Sequence, residues 1–100
     1  MILYNVTVGV DADIEAEWLD WMVSTHIPDV LATGKFESFE VFKVLSHEDE
    51  GSSYSIQYRA PNMETFESYL QDDAPGLIKK HMDRYKDRHV AYRSLLEKIV

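Results

Sequence analysis

Hydrophobic and polar residues alternate with a period of two along residues 2–10 and residues 52–60. This period is typical of β-strands that bury one face. In the first stretch the apolar face carries Tyr4, Val6, Val8 and Val10. In the second stretch it carries Tyr54, Ile56, Tyr58 and Ala60. Because a strand at a terminus is ordered only when neighbours pair with it, we expect residues 2–10 in the middle of a sheet.

Two further strands are predicted from less regular patterns. The stretch at residues 35–45 carries four large apolar side chains, Phe36, Phe39, Val41 and Phe42. These side chains cannot all share one face of a regular strand, so we predict a β-bulge near Glu40. Residues 88–96 are predicted to form the fourth strand, although residues 95–100 also fit the start of a short terminal helix.

A helical pattern separates the first two strands. Apolar and small residues recur at spacings of three and four and form one stripe: Ile14, Trp18, Trp21, Met22 and Thr25. Asp11 or Asp13 is predicted to cap this helix. Pro28 removes a backbone hydrogen bond and clashes with the preceding turn, so the helix should bend or restart near Ile27. Gly34 is predicted to end it in the left-handed conformation.

A second helical pattern precedes the last strand. Asn62 is placed to cap it, and a restart is predicted at residues 73–75, where proline is tolerated in a first turn. The buried stripe is predicted to contain Met63, Phe66, Tyr69, Leu70, Leu77, Ile78, His81, Met82 and Tyr85. The resulting order of elements predicts one ferredoxin-like α+β domain over residues 1–100, with a four-stranded antiparallel sheet and two helices on one face.

The sheet face without helices is predicted to be mixed in character. Its candidates are Leu3, Asn5, Thr7, Ser38, Glu40, Phe42, Gln57, Arg59, Ala91 and Arg93. Such a face is neither fully polar nor apolar, and a second copy of the chain is the simplest cover for it. We therefore predict a homodimer through this face.

Composition and charge limit the classes of molecule that are expected to bind this chain. The 100 residues are 45% hydrophobic, contain no cysteine and carry a formal net charge of -8. A nucleic-acid phosphate backbone would be repelled by that charge, so no nucleic-acid partner is expected. No apolar run reaches the roughly 20 residues of a membrane span, and no signal peptide is recognisable at the N-terminus. A cytoplasmic protein is expected.

Three ring-bearing side chains of the helices are candidates for a site. His26 follows the apolar stripe beside the proline, where it would serve as a general base or would bond to carbonyls that Pro28 leaves free. His81 lies on the stripe of the second helix, where either a structural or a ligand-binding role fits. Trp21 fits a core position, and an exposed ring would make it a binding platform.

Four polar residues of the strands form a second group of candidates. Arg59 and Arg93 are predicted to project together from the helix-free face, with Asn5 and Gln57 beside them. Such arginines bind a carboxylate or a phosphate of a ligand, or they form an ion pair with Glu40 of the other subunit. Both interpretations stay open from the sequence.

The sequence carries no pattern of a metal or cofactor site. Paired cysteines, the HExxH motif, a calcium loop and a glycine-rich phosphate loop are all absent. The acidic run at residues 47–50 is typical of a solvated turn. We expect no metal and no cofactor.

Several segments resemble those of one family of small bacterial proteins, the group named domain of unknown function 4286. They are Tyr4-Asn5-Val6-Thr7, Trp18-x-x-Trp21-Met22, His26-Ile27-Pro28-x-Val30-Leu31-x-Thr33-Gly34-x-Phe36, Tyr54-Ser55-Ile56-Gln57-Tyr58 and Ala91-Tyr92-Arg93. The resemblance implies a ferredoxin-like, dimeric α-β barrel and implies no activity. The layout is also similar to that of antibiotic-biosynthesis monooxygenases, ethyl tert-butyl ether-degradation-type proteins and muconolactone isomerases, which is a similarity of architecture only.

Two hypotheses of function remain at this stage. The first is a small-molecule-binding dimer, including a cofactor-independent enzyme that acts on an anionic or phenolic metabolite with His26 as acid or base. The second is a non-catalytic module for assembly or ligand sensing, in which the same residues are structural. A cavity that reaches solvent and contains His26 would favour the first hypothesis.

Overall fold

The computed structural model describes residues 1–46 and 52–100. Its sheet has four antiparallel strands in the order β2-β3-β1-β4. The strands are β1 (Ile2–Val10), β2 (Ser38–Lys43), β3 (Ser52–Ala60) and β4 (His89–Glu97). The prediction that the first strand lies inside the sheet is confirmed.

The helices between the strands are interrupted. After β1 come a 3₁₀ turn (Ala12–Ile14), α1 (Glu15–Trp21), a π-helical turn (Met22–His26) and α2 (Ile27–Ala32). After β3 come α3 (Met63–Asp72) and α4 (Ala74–Arg84). The architecture is the predicted ferredoxin-like α+β fold, with each of the two predicted helices divided into shorter helices. Within the described residues, no helix is long and apolar enough to cross a membrane.

Of the signals predicted for the first helical segment, two are confirmed and one is wrong. The helix restarts at Ile27 with Pro28 in its first turn, and Gly34 has a φ of 76°. The side chains of Asp11 and Asp13 make no capping hydrogen bond and instead form ion pairs with Arg88. These ion pairs tie the first helical turn to the segment before β4, because the guanidinium offers the carboxylates a stronger donor than a backbone N–H.

The core lies between the helices and one face of the sheet. The even-numbered positions of β1 and β3 provide the buried face of the sheet, as the period of two predicts. Trp18 fills the centre and has 0% of its surface exposed. The other large side chains of the core include Tyr4, Met22, Ile27, Phe36, Tyr54, Ile56, Tyr58, Phe66, Tyr69 and Tyr85.

The bulge predicted near Glu40 is wrong. Strand β2 pairs with β3 in continuous register, which places Phe42 on the helix-free face, opposite Ser55. Phe42 is 47% exposed. Phe36 precedes β2, and Phe39 and Val41 share the helix side of the strand, so a regular register needs to expose only Phe42.

The predicted phase of the fourth strand is also wrong. Arg93 pairs with Val6 of β1, and Ala91 pairs with Val8, so both point to the helix side of the sheet. The helix-free face of β4 carries Val90, Tyr92, Ser94 and Leu96 instead. Both faces of β4 carry apolar and polar side chains, and the period of two therefore does not identify its buried face. Strand β4 also continues to Glu97, so no terminal helix starts at residue 95.

Candidate functional site

A cavity lies between the sheet and the helices, on the side to which Arg93 points. Its walls come from three strands, the π-helical turn and three helices. They consist of Tyr4, Val6, Val8, Met22, His26, Val30, Ile56, Tyr58, Tyr69, Leu77, Ile78, His81, Ala91 and Arg93. No acidic side chain is part of this wall, although the chain contains 18 aspartates and glutamates. The cavity is therefore suited to a negatively charged group.

The cavity is small and adjoins a larger groove. Its volume is about 30 Å³, which is room for about two water molecules. The groove has a volume of about 480 Å³ and is lined by Trp21, Thr25, His26, Asp29, Lys80, Asp83 and Arg84. His26 contributes to both walls, so it lies at the boundary between the cavity and the groove.

The His26 ring is held by aromatic neighbours. It stacks on Trp21 with ring centroids 5.2 Å apart and meets the His81 ring edge-on at 5.7 Å. Burial lowers its pKa, the charge of Asp29 opposes this shift, and Arg93 adds to it. His26 occupies the N-cap position of α2, and its side chain makes no capping hydrogen bond to the N–H groups of that helix. A neutral imidazole at a cavity boundary can accept a proton.

His81 is fixed by a buried hydrogen bond. The indole Nε1–H of Trp18 donates to Nε2 of His81 at 2.9 Å. The His89 ring lies 4.6 Å from the His81 ring, centroid to centroid. Burial is the largest cause that lowers the pKa of His81 to about 3, and the charges of His89, His26 and Arg93 add to it. His81 is therefore neutral near pH 7.

Arg93 supplies the positive charge of the cavity. Its Nε donates a hydrogen bond of 3.0 Å to the hydroxyl oxygen of Tyr4. Among residues 1–46 and 52–100, no carboxylate lies within 4.0 Å of its guanidinium. Burial raises the pKa of Tyr69 and lowers the pKa of His26, and the charge of Arg93 opposes the first shift and adds to the second. Arg93 shares the cavity wall with both residues.

The tyrosines of this site were not among the residues predicted from the sequence. Tyr4, Tyr58 and Tyr69 all line the cavity, and burial raises the pKa of each. The available signal was that buried faces of the strands carry tyrosine rather than phenylalanine. A buried hydroxyl requires a hydrogen-bond partner, which water or a ligand in a cavity supplies.

The candidate residues of the strands do not form one site. Arg59, Asn5 and Gln57 lie on the helix-free face, where the register pairs them across β1 and β3, whereas Arg93 lies on the helix side. Arg59 forms an ion pair with Glu40 of the same chain, not of a second subunit. Ser55 donates to Asn5 at 2.6 Å and accepts from Gln57 at 3.2 Å. A common ligand for Arg59 and Arg93 is excluded because the sheet separates them.

The histidines do not form a metal site. In the part of the chain that the structure describes, no group of three His, Cys, Asp or Glu residues has the geometry to hold a metal ion. The acceptor nitrogen of His81 is already occupied by Trp18, which leaves no lone pair on that ring for a metal. The acidic run at residues 47–50 lies outside the described residues.

Comparison with known proteins relates the chain to a family and to a known fold. A family model described as "Domain of unknown function (DUF4286)" matches residues 1–99. No curated protein matches the sequence at a significant level. Many solved structures match the fold.

Three of these structures illustrate the fold's range. An ethyl tert-butyl ether (EthD) family protein from Bacillus halodurans has a TM-score of 0.72 at 12% identity, covering 99% of this chain and 100% of its own. SnoaB from Streptomyces nogalater, a cofactor-independent oxygenase, has a TM-score of 0.67 at 13% identity, covering 97% and 92%. A dimeric ferredoxin-like protein from an uncultured marine organism has a TM-score of 0.65 at 17% identity, covering 99% and 97%. At these identities the likeness shows the fold alone.

Proposed function

The chain belongs to the DUF4286 family, and we propose that its cavity binds a small aromatic anion, a phenolate or a carboxylate. The observation that carries the proposal is an arginine without a carboxylate partner among the described residues, on the wall of a cavity that contains no acidic side chain. An arginine in such a place attracts an anion, because charge-assisted hydrogen bonds are the strongest that a side chain offers.

Tyr4 and Arg93 together offer free hydrogen-bond donors to the cavity. Tyr4 uses its oxygen to accept from Arg93, so its own O–H remains available to donate. The Arg93 guanidinium uses one N–H in this bond and keeps the others. Donors without nearby acceptors favour an anionic oxygen over a cationic or hydroxyl-donating group of a ligand.

The size of the site supports an aromatic ligand with a polar head. The internal cavity of about 30 Å³ accommodates a carboxylate or phenolate oxygen in place of water. The groove of about 480 Å³ falls within the range of small-molecule sites. Trp21 lies in that groove and offers its ring for stacking. The proposed ligand therefore places its head beside Arg93 and its ring beside His26 and Trp21.

His26 is the proposed base of this site. Its neutral ring can take the proton of a phenol or of an acidic C–H of the bound molecule, and Arg93 stabilises the anion that forms. The transfer moves one proton from ligand to imidazole and requires no cofactor. This is the enzymatic form of the proposal, and ligand binding without turnover is its non-catalytic form.

Replacing Arg93 with Gln is expected to weaken the binding of salicylate about 10- to 100-fold, because a charged hydrogen bond contributes about 1.5–3 kcal/mol. The measurement is isothermal titration of the purified chain with salicylate, after thermal-shift screening with benzoate, 4-hydroxybenzoate and benzylamine. Benzylamine has the same ring with a positive charge and is expected to give no shift.

Arg59→Gln is the matched control for this experiment. Arg59 is the same residue type in the same sheet, but it lies on the opposite face and pairs with Glu40. Its replacement should leave salicylate affinity unchanged. The proposal fails when no aromatic anion of the panel binds, or when Arg59→Gln weakens binding as much as Arg93→Gln does.

We also propose that the chain works as a homodimer through the helix-free face of the sheet. The exposed apolar side chains on this face support the proposal; they are Phe42, Val90, Tyr92 and Leu96, with exposures of 47, 73, 65 and 50%. They lie on both edge strands of this face, and large apolar side chains that are exposed on one face of a sheet typically mark an interface between proteins. The description of one structural neighbour as dimeric agrees with this proposal.

Light scattering after size exclusion tests the dimer. The wild-type chain is expected to elute at twice its mass of 11.6 kDa, and Phe42→Glu is expected to move it towards the single mass. Val23→Glu, at a helical residue that is 55% exposed, is the control and should leave the mass unchanged. A wild-type chain with the mass of one copy at high concentration would exclude the dimer.

A further inference from the structure

We infer that Trp18 holds His81 in the tautomer with its proton on Nδ1, which makes His81 a fixed hydrogen-bond donor to the anion in the cavity. The inference deepens the proposed function and rests on it for the identity of the ligand. The tautomer itself follows from one buried hydrogen bond.

The direction of that bond is set by the chemistry of the indole. Trp18 can only donate, since the indole Nε1 carries a hydrogen and has no lone pair to offer. Its partner, Nε2 of His81 at 2.9 Å, must therefore be the unprotonated nitrogen of the ring. A neutral imidazole has one N–H, so the proton of His81 is on Nδ1.

The ligand role places the Nδ1–H of His81 towards the cavity. His81 lines the cavity and is 8% exposed overall. Within the described residues, its nitrogens are not among the buried side-chain polar atoms that lack a hydrogen-bond partner. Since Nε2 bonds to Trp18, Nδ1 is the ring nitrogen left to bond to a ligand.

The neighbours of His81 keep its ring neutral and in one tautomer. A proton on Nε2 would point at the N–H of Trp18, so the doubly protonated ring would lose this bond and gain a repulsion. Arg93, His26 and His89 surround the ring and oppose a positive charge on it. Tyr85 contributes only an aromatic face, 5.4 Å from the His81 ring between centroids. His81 therefore offers one donor and no free acceptor.

A ring with one fixed donor and no free acceptor selects the chemistry of the ligand. It favours an oxygen with a negative charge, which accepts a hydrogen bond more strongly than a phenol hydroxyl does, and it leaves a protonated amine without a partner. His81 is thus a specificity-determining residue, and Trp18 is a positioning residue that acts through it. Arg93 and His81 would bind the same anionic oxygen from two directions.

Long-range proton–nitrogen NMR of the ¹⁵N-labelled chain near pH 7 tests the tautomer. The expected spectrum has a pyrrole-type Nδ1 and a pyridine-type Nε2 for His81. In Trp18→Phe, the two nitrogen shifts should move towards each other as the tautomers mix. Trp21→Phe is the matched control: Trp21 contacts His81 by ring packing, with centroids 5.9 Å apart, and its replacement should leave the tautomer unchanged.

The ligand role is tested by titrating salicylate into wild type and His81→Phe. We expect about tenfold weaker binding in the variant and a downfield shift of the Nδ1 proton in the wild-type complex. A pyridine-type Nδ1 in the free wild type, which needs no variant to fold, would overturn the inference whatever binds. The predicted tautomer with no binding of salicylate or of any other aromatic anion of the panel would overturn the proposed function and the ligand role of His81. Salicylate binding without a change at Nδ1 would overturn the ligand role alone.

Discussion

Replacing Trp18 with Ala is expected to lower the free energy of unfolding by about 3–5 kcal/mol, the usual cost of deleting a buried tryptophan. Trp18 has 0% of its surface exposed, and its ring packs on Tyr54 with centroids 5.2 Å apart. Alanine would leave a cavity in the centre of the core and would leave the acceptor nitrogen of His81 without its partner. Urea unfolding followed by far-UV circular dichroism measures the difference.

Two companion variants separate packing from hydrogen bonding. Trp18→Phe keeps most of the ring and removes the N–H, so it should cost less than the alanine variant, about 1–3 kcal/mol. Trp21→Ala removes a half-buried ring from the edge of the groove and should cost less than Trp18→Ala. Equal losses for Trp18→Ala and Trp21→Ala would contradict the position of Trp18 at the centre of the core.

Acidification is expected to destabilise the chain through His81. Burial lowers the pKa of this histidine to about 3 in the folded chain, against about 6.5 in an unfolded chain. Between these values the unfolded state binds a proton that the folded state does not bind, so stability rises with pH in this window. The contribution of His81 is fully present above about pH 6.5 and is lost as the pH falls towards 3.

The size of this effect follows from the width of the window. Each pH unit between the two pKa values changes the stability by about 1.4 kcal/mol. From pH 6.5 to pH 4 the contribution amounts to about 2–3 kcal/mol, once water in the cavity is allowed to screen part of the shift. Glu15, whose pKa is lowered by its hydrogen bond from Tyr54, acts in the same direction. The effect of His81 is therefore measured as the difference between the pH dependence of stability of wild type and that of a His81 variant.

Urea unfolding of wild type and His81→Gln at pH 4, 5, 6 and 7 isolates that difference. Glutamine does not titrate, so the variant should lose about 2–3 kcal/mol less than wild type does between pH 6.5 and pH 4. Its oxygen also keeps an acceptor for Trp18. Parallel stability curves for the two proteins would show that His81 is not buried as a neutral ring.

The candidate site was predictable in its helical part and not in its sheet part. His26, His81 and Trp21 contact one another because each lies on or beside a stripe that the helical period defines. Arg93 was predicted on the wrong face, beside Arg59, because a shift of one residue in phase reverses every side chain of a strand. The hydrogen bond from Trp18 to His81 joins residues 63 positions apart, and no local pattern reveals such a contact.

Local patterns were sufficient to predict the order of elements, the ends of β1 and β3, the break at Pro28 and the turn at Gly34. These features depend on local chemistry: alternation, a missing backbone donor, and the conformational freedom of glycine. The buried face of β4 and the set of residues that share the cavity depend instead on tertiary contacts. An edge strand such as β4 carries little pattern, because neither of its faces must be uniformly apolar, and its pairing with β1 fixes its phase.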